Sequence, residues 1–328
     1  MCNISNEHAE RDIDMSDTKE LVSFVIPVYN EAPSLKELHK RIVENISKTK
    51  DDYEIIFVND GSTDESVEII RELHGQDERV HLISFRKNFG KSAALEAGFR
   101  NVNGDIVITM DSDLQDDPAE IPNFIDKIHE GFDLVSGWKV NRQDSAEKKI
   151  PSKVFNKVTS LMSGIKLHDF DCCFKAYRRE VIDSIDVYGE LHRYMPVLAY
   201  RQGFSNIAEI NVHHNKRQFG KSKYGFKRYF HGFFDSLTTN FLLKYCKSPM
   251  YFFGKWALLF MAVGFALCLW MTVVHFMGES VGTRPALFLG ILLIVVGMQF
   301  FGIGILGEMF TDASARNSYN ENKVKEKF

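Results

Sequence analysis

The sequence predicts an α/β protein with a mostly parallel sheet, helices on both faces, and a C-terminal hairpin of two membrane-length helices. Three observations carry that expectation. From Leu21 to Gly137, short apolar runs alternate with segments of helical length, the pattern of βαβ units. Each run ends in polar or charged residues: Asn30 and Glu31, Asp60, Arg86 and Asn88, Asp111 and Asp113, Lys139 and Arg142. In open α/β sheets ligands sit outside the carboxyl ends of the strands, so a single crevice would collect them all. Finally, Trp256 to Val274 and Ala286 to Leu306 carry no charged residue, and each is close to the roughly twenty residues that cross a bilayer as a helix.

Composition narrows the classes. A chain of 328 residues with 45% hydrophobic content has ample length for a core. The net charge of −4 gives no overall basic signature for nucleic acid. The five cysteines (Cys2, Cys172, Cys173, Cys246, Cys268) contain no C-x-x-C pair, which argues against a disulfide framework or zinc site and fits a reducing, cytosolic setting. Residues 1–20 are polar and mixed in charge without an apolar core, and read as a flexible tail rather than a signal peptide.

Leu21 to Val28 forms the first expected strand, followed by a helix from about Pro33 to Thr49. Tyr53 to Val58 is the second, ending in Asn59-Asp60-Gly61-Ser62-Thr63-Asp64. Asp60-Gly61 makes a tight turn, and either Ser62 or Asp64 can cap the helix that runs to about His74. Val80 to Phe85 leads into Arg86-Lys87-Asn88-Phe89-Gly90-Lys91 and a helix through Arg100. Asp105 to Met110 is the fourth strand; Pro118 then opens a helix to Glu130, and Phe132 to Gly137 closes the series.

The fourth strand runs into four carboxylates within seven residues: Asp111, Asp113, Asp116 and Asp117. Asp111 and Asp113 are two apart, so on an extended strand end they point to the same side. That suits a hard divalent cation held by one or two carboxylates, with phosphate oxygens and water completing its shell. The plainer reading is an acidic turn capping the next helix. Gly90-Lys91-Ser92 and Gly220-Lys221-Ser222 imitate a P-loop but have Phe85 and Asn215 where its first glycine belongs. Gly302, Gly304 and Gly307 have dinucleotide-fold spacing, yet inside an apolar run they read as small residues for close helix packing. His213 and His214 lack the H-x-x-x-H spacing of metal ligands.

Pro27-Val28-Tyr29-Asn30-Glu31, Val58-Asn59-Asp60-Gly61-Ser62-Thr63-Asp64, Asn88-Phe89-Gly90-Lys91 and Met110-Asp111-Ser112-Asp113-Leu114-Gln115 resemble, in order and spacing, the signatures of a family 2 glycosyltransferase with a GT-A fold. The resemblance spans about Leu21 to Tyr224. It implies a nucleotide-sugar site built from Pro27, Tyr29, Asn30, Glu31, Asp60, Lys91 and Asp111. Asp111 and Asp113 would bind Mg2+ or Mn2+ with the diphosphate, and Gln115 would lie beside the metal and sugar. Asp113, Gln115, Asp169 and Arg217 are the implied catalytic residues.

Related enzymes often carry Arg where Lys139 stands; lysine keeps the charge but loses the bidentate fork, while Arg142 matches. His168-Asp169-Phe170-Asp171-Cys172-Cys173-Phe174-Lys175 resembles the acceptor segment, with Asp169 matching and Asp171 in the place of a glycine. The vicinal Cys172 and Cys173 read as buried small hydrophobes rather than a redox pair. Arg217-Gln218-Phe219-Gly220-Lys221-Ser222-Lys223-Tyr224 resembles a segment of enzymes that glycosylate polyprenyl phosphates. Cations around a flexible glycine suit closure over phosphates, so Arg217, Lys221, Ser222, Lys223 and Tyr224 are acceptor-phosphate candidates, joined by Lys139 and Arg142 through the resemblance. The alternative is a solvated basic loop beside a membrane.

The expected organisation is a tail (1–20), a GT-A domain (21–224), interfacial amphipathic helices (225–250), two transmembrane helices (251–277 and 285–307) and a C-terminal tail (308–328). Lys244, Lys247 and Lys255 precede the first span, and Arg316, Lys323, Lys325 and Lys327 follow the second. The positive-inside rule then puts the GT-A domain and both termini in the cytoplasm, with self-association through the spans left open. The function implied is inverting, metal-dependent transfer of a hexose from a nucleotide-sugar, UDP-glucose first and GDP-mannose second, to polyprenyl phosphate. A processive polysaccharide synthase would need more spans and a Q-x-x-R-W segment, which this chain lacks. The non-enzymatic rival is a membrane scaffold with a retired transferase fold.

Overall fold

The computed structural model describes residues 19–140, 156, 159–160, 163–189, 191–215, 245, 248–278, 280 and 284–316. The chain divides into two compact units, Met1–Arg228 with Asn322–Phe328, and Tyr229–Glu321. In the first, β1 (Leu21–Val28), α1 (Ala32–Ile46), β2 (Asp52–Asn59), α2 (Ser66–Gln76), β3 (Val80–Ser84), α3 (Lys91–Phe99), β4 (Ile106–Thr109), α4 (Ile121–His129) and β5 (Leu134–Trp138) follow the expected alternation. Beyond them lie β6 (Lys175–Arg178), α5 (Arg179–Asp183), α6 (Met195–Arg201) and β7 (Ile207–Asn211).

The seven strands are ordered β3-β2-β1-β4-β6-β5-β7. β1 pairs in parallel with both β2 and β4, so the chain order reverses at β1/β4. β6 runs antiparallel between β4 and β5, and β7 pairs in parallel with β5. The sheet is therefore mostly parallel, as expected, with one reversed strand that a four-residue segment gives too little pattern to reveal.

Side-chain alternation covers both faces. Val22, Phe24, Ile26 and Val28 of β1 pack with Leu35, Leu38 and Ile42 of α1 and with Phe124 of α4. Val25, Ile56, Val58 and Val107 point the other way, onto Ala94, Leu95 and Phe99 of α3. These strands are buried on both sides, which is why they read as continuous apolar runs.

In the second unit, α7 (Pro249–Phe276) and α8 (Pro285–Arg316) form a helical hairpin. Mean hydropathies of 2.4 and 2.5 make both long and apolar enough to cross a membrane. α8 continues nine residues past the expected boundary at 307. Glycines set the contact: a Cβ on Gly264 would lie 2.6 Å from the Gly290 carbonyl oxygen, and one on Gly307 would lie 2.8 Å from Pro249 Cβ. Gly304 faces Met250 and Phe253, whereas Gly302 faces open space, so only part of that glycine series packs helices. Phe265, Trp270 and Phe288 point outward, each more than half exposed, the pattern of helices whose outer surface meets an apolar medium.

Gly104, just before β4, permits a close backbone approach: a Cβ there would meet the Leu21 carbonyl oxygen at 2.4 Å. Gly104→Ala is expected to destabilise the first unit by about 1–3 kcal/mol, the usual cost of overpacking. A lowered thermal midpoint of the detergent-solubilised chain would register it.

Candidate active site

The crevice at the β1/β4 reversal is lined by the loops that leave the carboxyl ends of the strands, and side chains tie these loops together. Asn30 adopts a left-handed φ of 56°. Its amide donates to Ser62 Oγ at 2.9 Å, and its Oδ1 accepts from the Thr63 amide at 2.7 Å. Asp64, not Ser62, serves the α2 terminus, accepting from the Ser66 amide and from the amide of Ala32, the first residue of α1. Glu31 is buried, Tyr29 is 38% exposed, and Pro27 lies in β1 opposite Val58.

Asp60 is buried and holds the next loop by accepting from the Phe89 amide at 2.7 Å and the Gly90 amide at 3.0 Å. Gly61, at φ 72°, lets that loop approach; a Cβ there would lie 2.5 Å from the Lys87 carbonyl carbon. Such close backbone contact requires glycine. Gly90, at φ 93°, then turns the chain into α3. Lys91, the first residue of α3, reaches Asp111 Oδ1 at 2.5 Å. Ser92 Oγ meets His192 Nδ1 at 2.9 Å.

β4 stops at Thr109, so Asp111 and Asp113 lie on an irregular turn and the same-side argument from strand periodicity does not apply. The turn is pinned differently. Leu114 takes a left-handed φ of 60° while its side chain is buried in the core, a strained backbone for a non-glycine residue that surrounding packing must enforce. Asp113 Oδ1 accepts from the Gln115 amide at 3.1 Å, and Ser34 of α1 donates to the Ser112 carbonyl oxygen at 2.6 Å.

Charge is balanced locally. Burial would raise the Asp111 carboxyl, but Lys91 and then Lys139 outweigh it and hold it far below the usual carboxylate range. Burial would likewise lower the Lys91 ammonium, yet Asp111 keeps it well above lysine's ordinary value. Lys139 meets Asp116 at 2.7 Å, with side-chain exposures of 9% and 0%; the contact is between charges rather than a well-aimed hydrogen bond. His192 is driven the other way, to about 3, by burial and then by Lys91 and Arg193. It is therefore a neutral imidazole at physiological pH.

The acceptor-like segment is also anchored. Asp169 is buried, its Oδ1 accepting from the Asp171 amide at 3.1 Å. Glu209 of β7 accepts from the amides of His168 and Asp169 and contacts His168 Nδ1 at 2.7 Å. His168 stacks on Trp138 with 4.0 Å between ring centroids, and Asp171 pairs with Arg193 at 3.2 Å. Cys172 and Cys173 are both buried, and burial pushes the Cys173 thiol up to about 12, so they behave as the small hydrophobes expected. His214 forms a backbone bridge with Asp116, and its ring lies 3.4 Å from Gln115 Nε2. Arg142, Arg217, Lys221, Ser222, Lys223 and Tyr224 lie outside the described residues.

The structure thus brings together Tyr29, Asn30, Glu31, Asp60, Lys91, Asp111, Asp113 and Gln115 on adjoining loops, with Lys139 in a buried pair. Sequence reasoning passed over Asp116, His192 and Glu209. Only Asp116 left a signal, as the third carboxylate of the acidic turn. No group of three or more metal-ligating side chains occurs among the described residues. Two partly exposed carboxylates, Asp111 and Asp113, are a hard-oxygen donor set. They fit a Mg2+ or Mn2+ ion that takes one or two protein ligands and completes its shell from a diphosphate and water.

These loops meet where the strand order of a mostly parallel sheet reverses, the usual place for a ligand site in such a sheet. Residues 23–186 match the family described as glycosyl transferase family 2, and the chain belongs to that family. It is 34% identical over 308 residues to a dodecaprenyl-phosphate galacturonate synthase of Rhizobium johnstonii, covering 92% of this chain and 91% of that one. It is 38% identical over 308 residues to an undecaprenyl-phosphate 4-deoxy-4-formamido-L-arabinose transferase of Shewanella sediminis, with the same coverage. Its fold is similar to glucosyl-3-phosphoglycerate synthase from Mycobacterium tuberculosis, at 20% identity and a TM-score of 0.54 over 69% of this chain and 80% of that one. A crystal structure of that synthase with Mn2+, uridine diphosphate and glucosyl-3-phosphoglycerate matches at 19% identity and a TM-score of 0.51, over 69% and 80% of the two chains.

Removing the Lys139 charge would strand the Asp116 carboxylate in the protein. Lys139→Met is expected to cost about 3–5 kcal/mol, as for other broken buried pairs, and adding Asp116→Asn should recover much of it. Thermal unfolding of the two variants checks this.

Proposed function

We propose that the protein is a polyprenyl-phosphate sugar transferase that moves a sugar from a nucleotide-sugar to polyprenyl phosphate at the cytoplasmic face of a membrane. The observation that carries this reading is the Lys91–Asp111–Asp113 constellation at the strand reversal. It occurs in a chain aligned over 92% of its length with relatives named for polyprenyl-phosphate sugars. The apolar hairpin supports a lipid acceptor, since it would keep the catalytic unit at the surface where polyprenyl phosphate resides.

The chemistry asks little of a general base. A lipid phosphate oxygen is already anionic at neutral pH and attacks the anomeric carbon, whose bond to the nucleoside diphosphate breaks. Such catalysis rests on positioning and on stabilising the leaving diphosphate. Mg2+ or Mn2+, held by Asp111 and Asp113, would supply part of that stabilisation when bound. Lys91 offers a second cation to the diphosphate, while the Asn30 and Asp60 loops frame the nucleotide. Asp169, fixed through Glu209, orients the acceptor, and the cations of the Arg217 to Tyr224 segment supply charge to the reacting phosphates. Attack from the face opposite the leaving group inverts the anomeric centre. The two relatives are named for different sugars, so UDP-glucose and GDP-mannose are the first donors of a wider panel. The decisive test is lipid-extractable radioactivity from membranes offered labelled nucleotide-sugars. Its absence with every donor would favour a non-catalytic scaffold.

Asp113→Asn is expected to lower turnover about 10²-fold or more, the scale for losing an electrostatic stabiliser of the leaving group, with folding and membrane insertion retained. Undiminished turnover of that variant, or of the parent after stringent chelation, would count against the metal role. Arg217→Lys should impair lipid-linked product formation despite keeping the charge, because a lysine lacks the planar fork. A reporter after Phe328 is expected in the cytoplasm and one at Ser280 on the opposite side, as protease protection would reveal.

A further inference from the structure

We infer that Lys91 is a resident counter-ion that keeps a divalent cation off Asp111 until a nucleoside diphosphate arrives to take the lysine's charge. The inference rests on the metal-and-donor reading above and adds an order of binding to it. Lys91 Nζ lies 2.5 Å from Asp111 Oδ1, so one oxygen of a metal-ligand candidate is already engaged by a cation. The contact is built into the fold. Asp60 fixes the amides of Phe89 and Gly90, Gly90 turns the chain at φ 93°, and Lys91 follows as the first residue of α3. Lys139, held by Asp116, adds a second positive charge to the surroundings of Asp111.

A divalent ion entering alone would bind beside an ammonium with which it competes for one carboxylate. Unit charges of like sign about 4 Å apart repel modestly in bulk water and about four times as strongly at the effective dielectric near a protein surface. A diphosphate changes the balance, because its oxygens accept the ammonium and ligate the metal together. Metal and nucleotide then favour each other's binding, and the coupling is reciprocal by linkage. Free metal is held weakly, and the acidic turn keeps its lysine partner while the donor is absent.

The test measures Mn2+ binding to the full-length, detergent-solubilised protein from the electron paramagnetic resonance signal of free Mn2+, with and without UDP. The parent protein should bind Mn2+ weakly alone and more tightly with UDP. Lys91→Gln should tighten Mn2+ binding without UDP by about tenfold, the order of effect for removing one screened contact charge. It should also shrink the gain that UDP gives. Lys91→Arg, which keeps a cation, should behave like the parent in the absence of UDP. Lys91→Met serves as the neutral variant if Lys91→Gln does not reach the parent's thermal unfolding profile. Unchanged or weaker Mn2+ binding in a folded neutral variant overturns the counter-ion role, as would equal tightening in Lys91→Arg. If the parent binds Mn2+ with UDP but the neutral variant shows no tightening, only this inference falls. If the parent binds no Mn2+ even with UDP, the metal reading falls with it.

Discussion

Of the four carboxylates on the turn after β4, Asp113 and Asp117 are partly exposed and accept backbone amides, while Asp111 and Asp116 are each met by a lysine. Asp111 and Asp116 lie at the end of β4, where both faces of the sheet are packed with apolar side chains. Two lysines answer them from different elements, Lys91 at the start of α3 and Lys139 just after β5. The pairs differ in kind. Lys139–Asp116 is almost wholly removed from water, and breaking it would leave a stranded charge. Lys91–Asp111 is about a third exposed on each side, so water screens it and exchange for another partner is cheap. The first pair holds the crevice together, and the second can give way to a ligand.

The remaining loops make that distinction useful by being fixed beforehand. Asn30 bridges the β1 and β2 exits, Asp60 holds the loop before α3, and Ser34 holds the turn at Ser112. Leu114 anchors the same turn in the core at the cost of a left-handed backbone. Fixed dipoles and charges stabilise a developing charge without reorganising at the moment of reaction. A transferase whose acceptor is already an anion depends on such preorganisation more than on proton transfer.

The legible part of this fold is the part written in continuous apolar runs. β1, β2, β4 and β5 are read because strands buried on both faces show as such runs, and α1 and α4 because their apolar periodicity is strong. Of the candidate site residues, Asn30, Asp60, Asp111 and Asp113 are read because each follows such a strand, whereas Lys91 is read from the resemblance carried by Asn88-Phe89-Gly90-Lys91. β6 and β7 were not: β6 is four residues long and β7 only partly buried, so neither leaves a strong pattern. Partners distant in sequence were equally hidden. Glu209 serves residues about forty positions earlier, and His192 meets Ser92 across a hundred residues. Lys139 was read as a phosphate candidate from the family resemblance, and its position beside Asp116 follows only from the pairing of β4 and β5 with β6.

That pairing also explains how one turn serves both halves of the site. β6 reverses direction between β4 and β5, so its amino end adjoins the carboxyl ends of its neighbours. The segment carrying Asp169, which precedes β6, therefore arrives at the same edge as the acidic turn. An all-parallel arrangement would send the start of β6 to the opposite edge, leaving the acceptor-like segment far from Asp111. Glu209 then fixes that segment through two backbone amides, and the Gln115–Asn215 backbone contact at 2.8 Å ties the acidic turn to the exit of β7. The acidic turn and the segment carrying Asp169 share one end of one sheet because a single strand is reversed, a topological requirement that no individual motif contains.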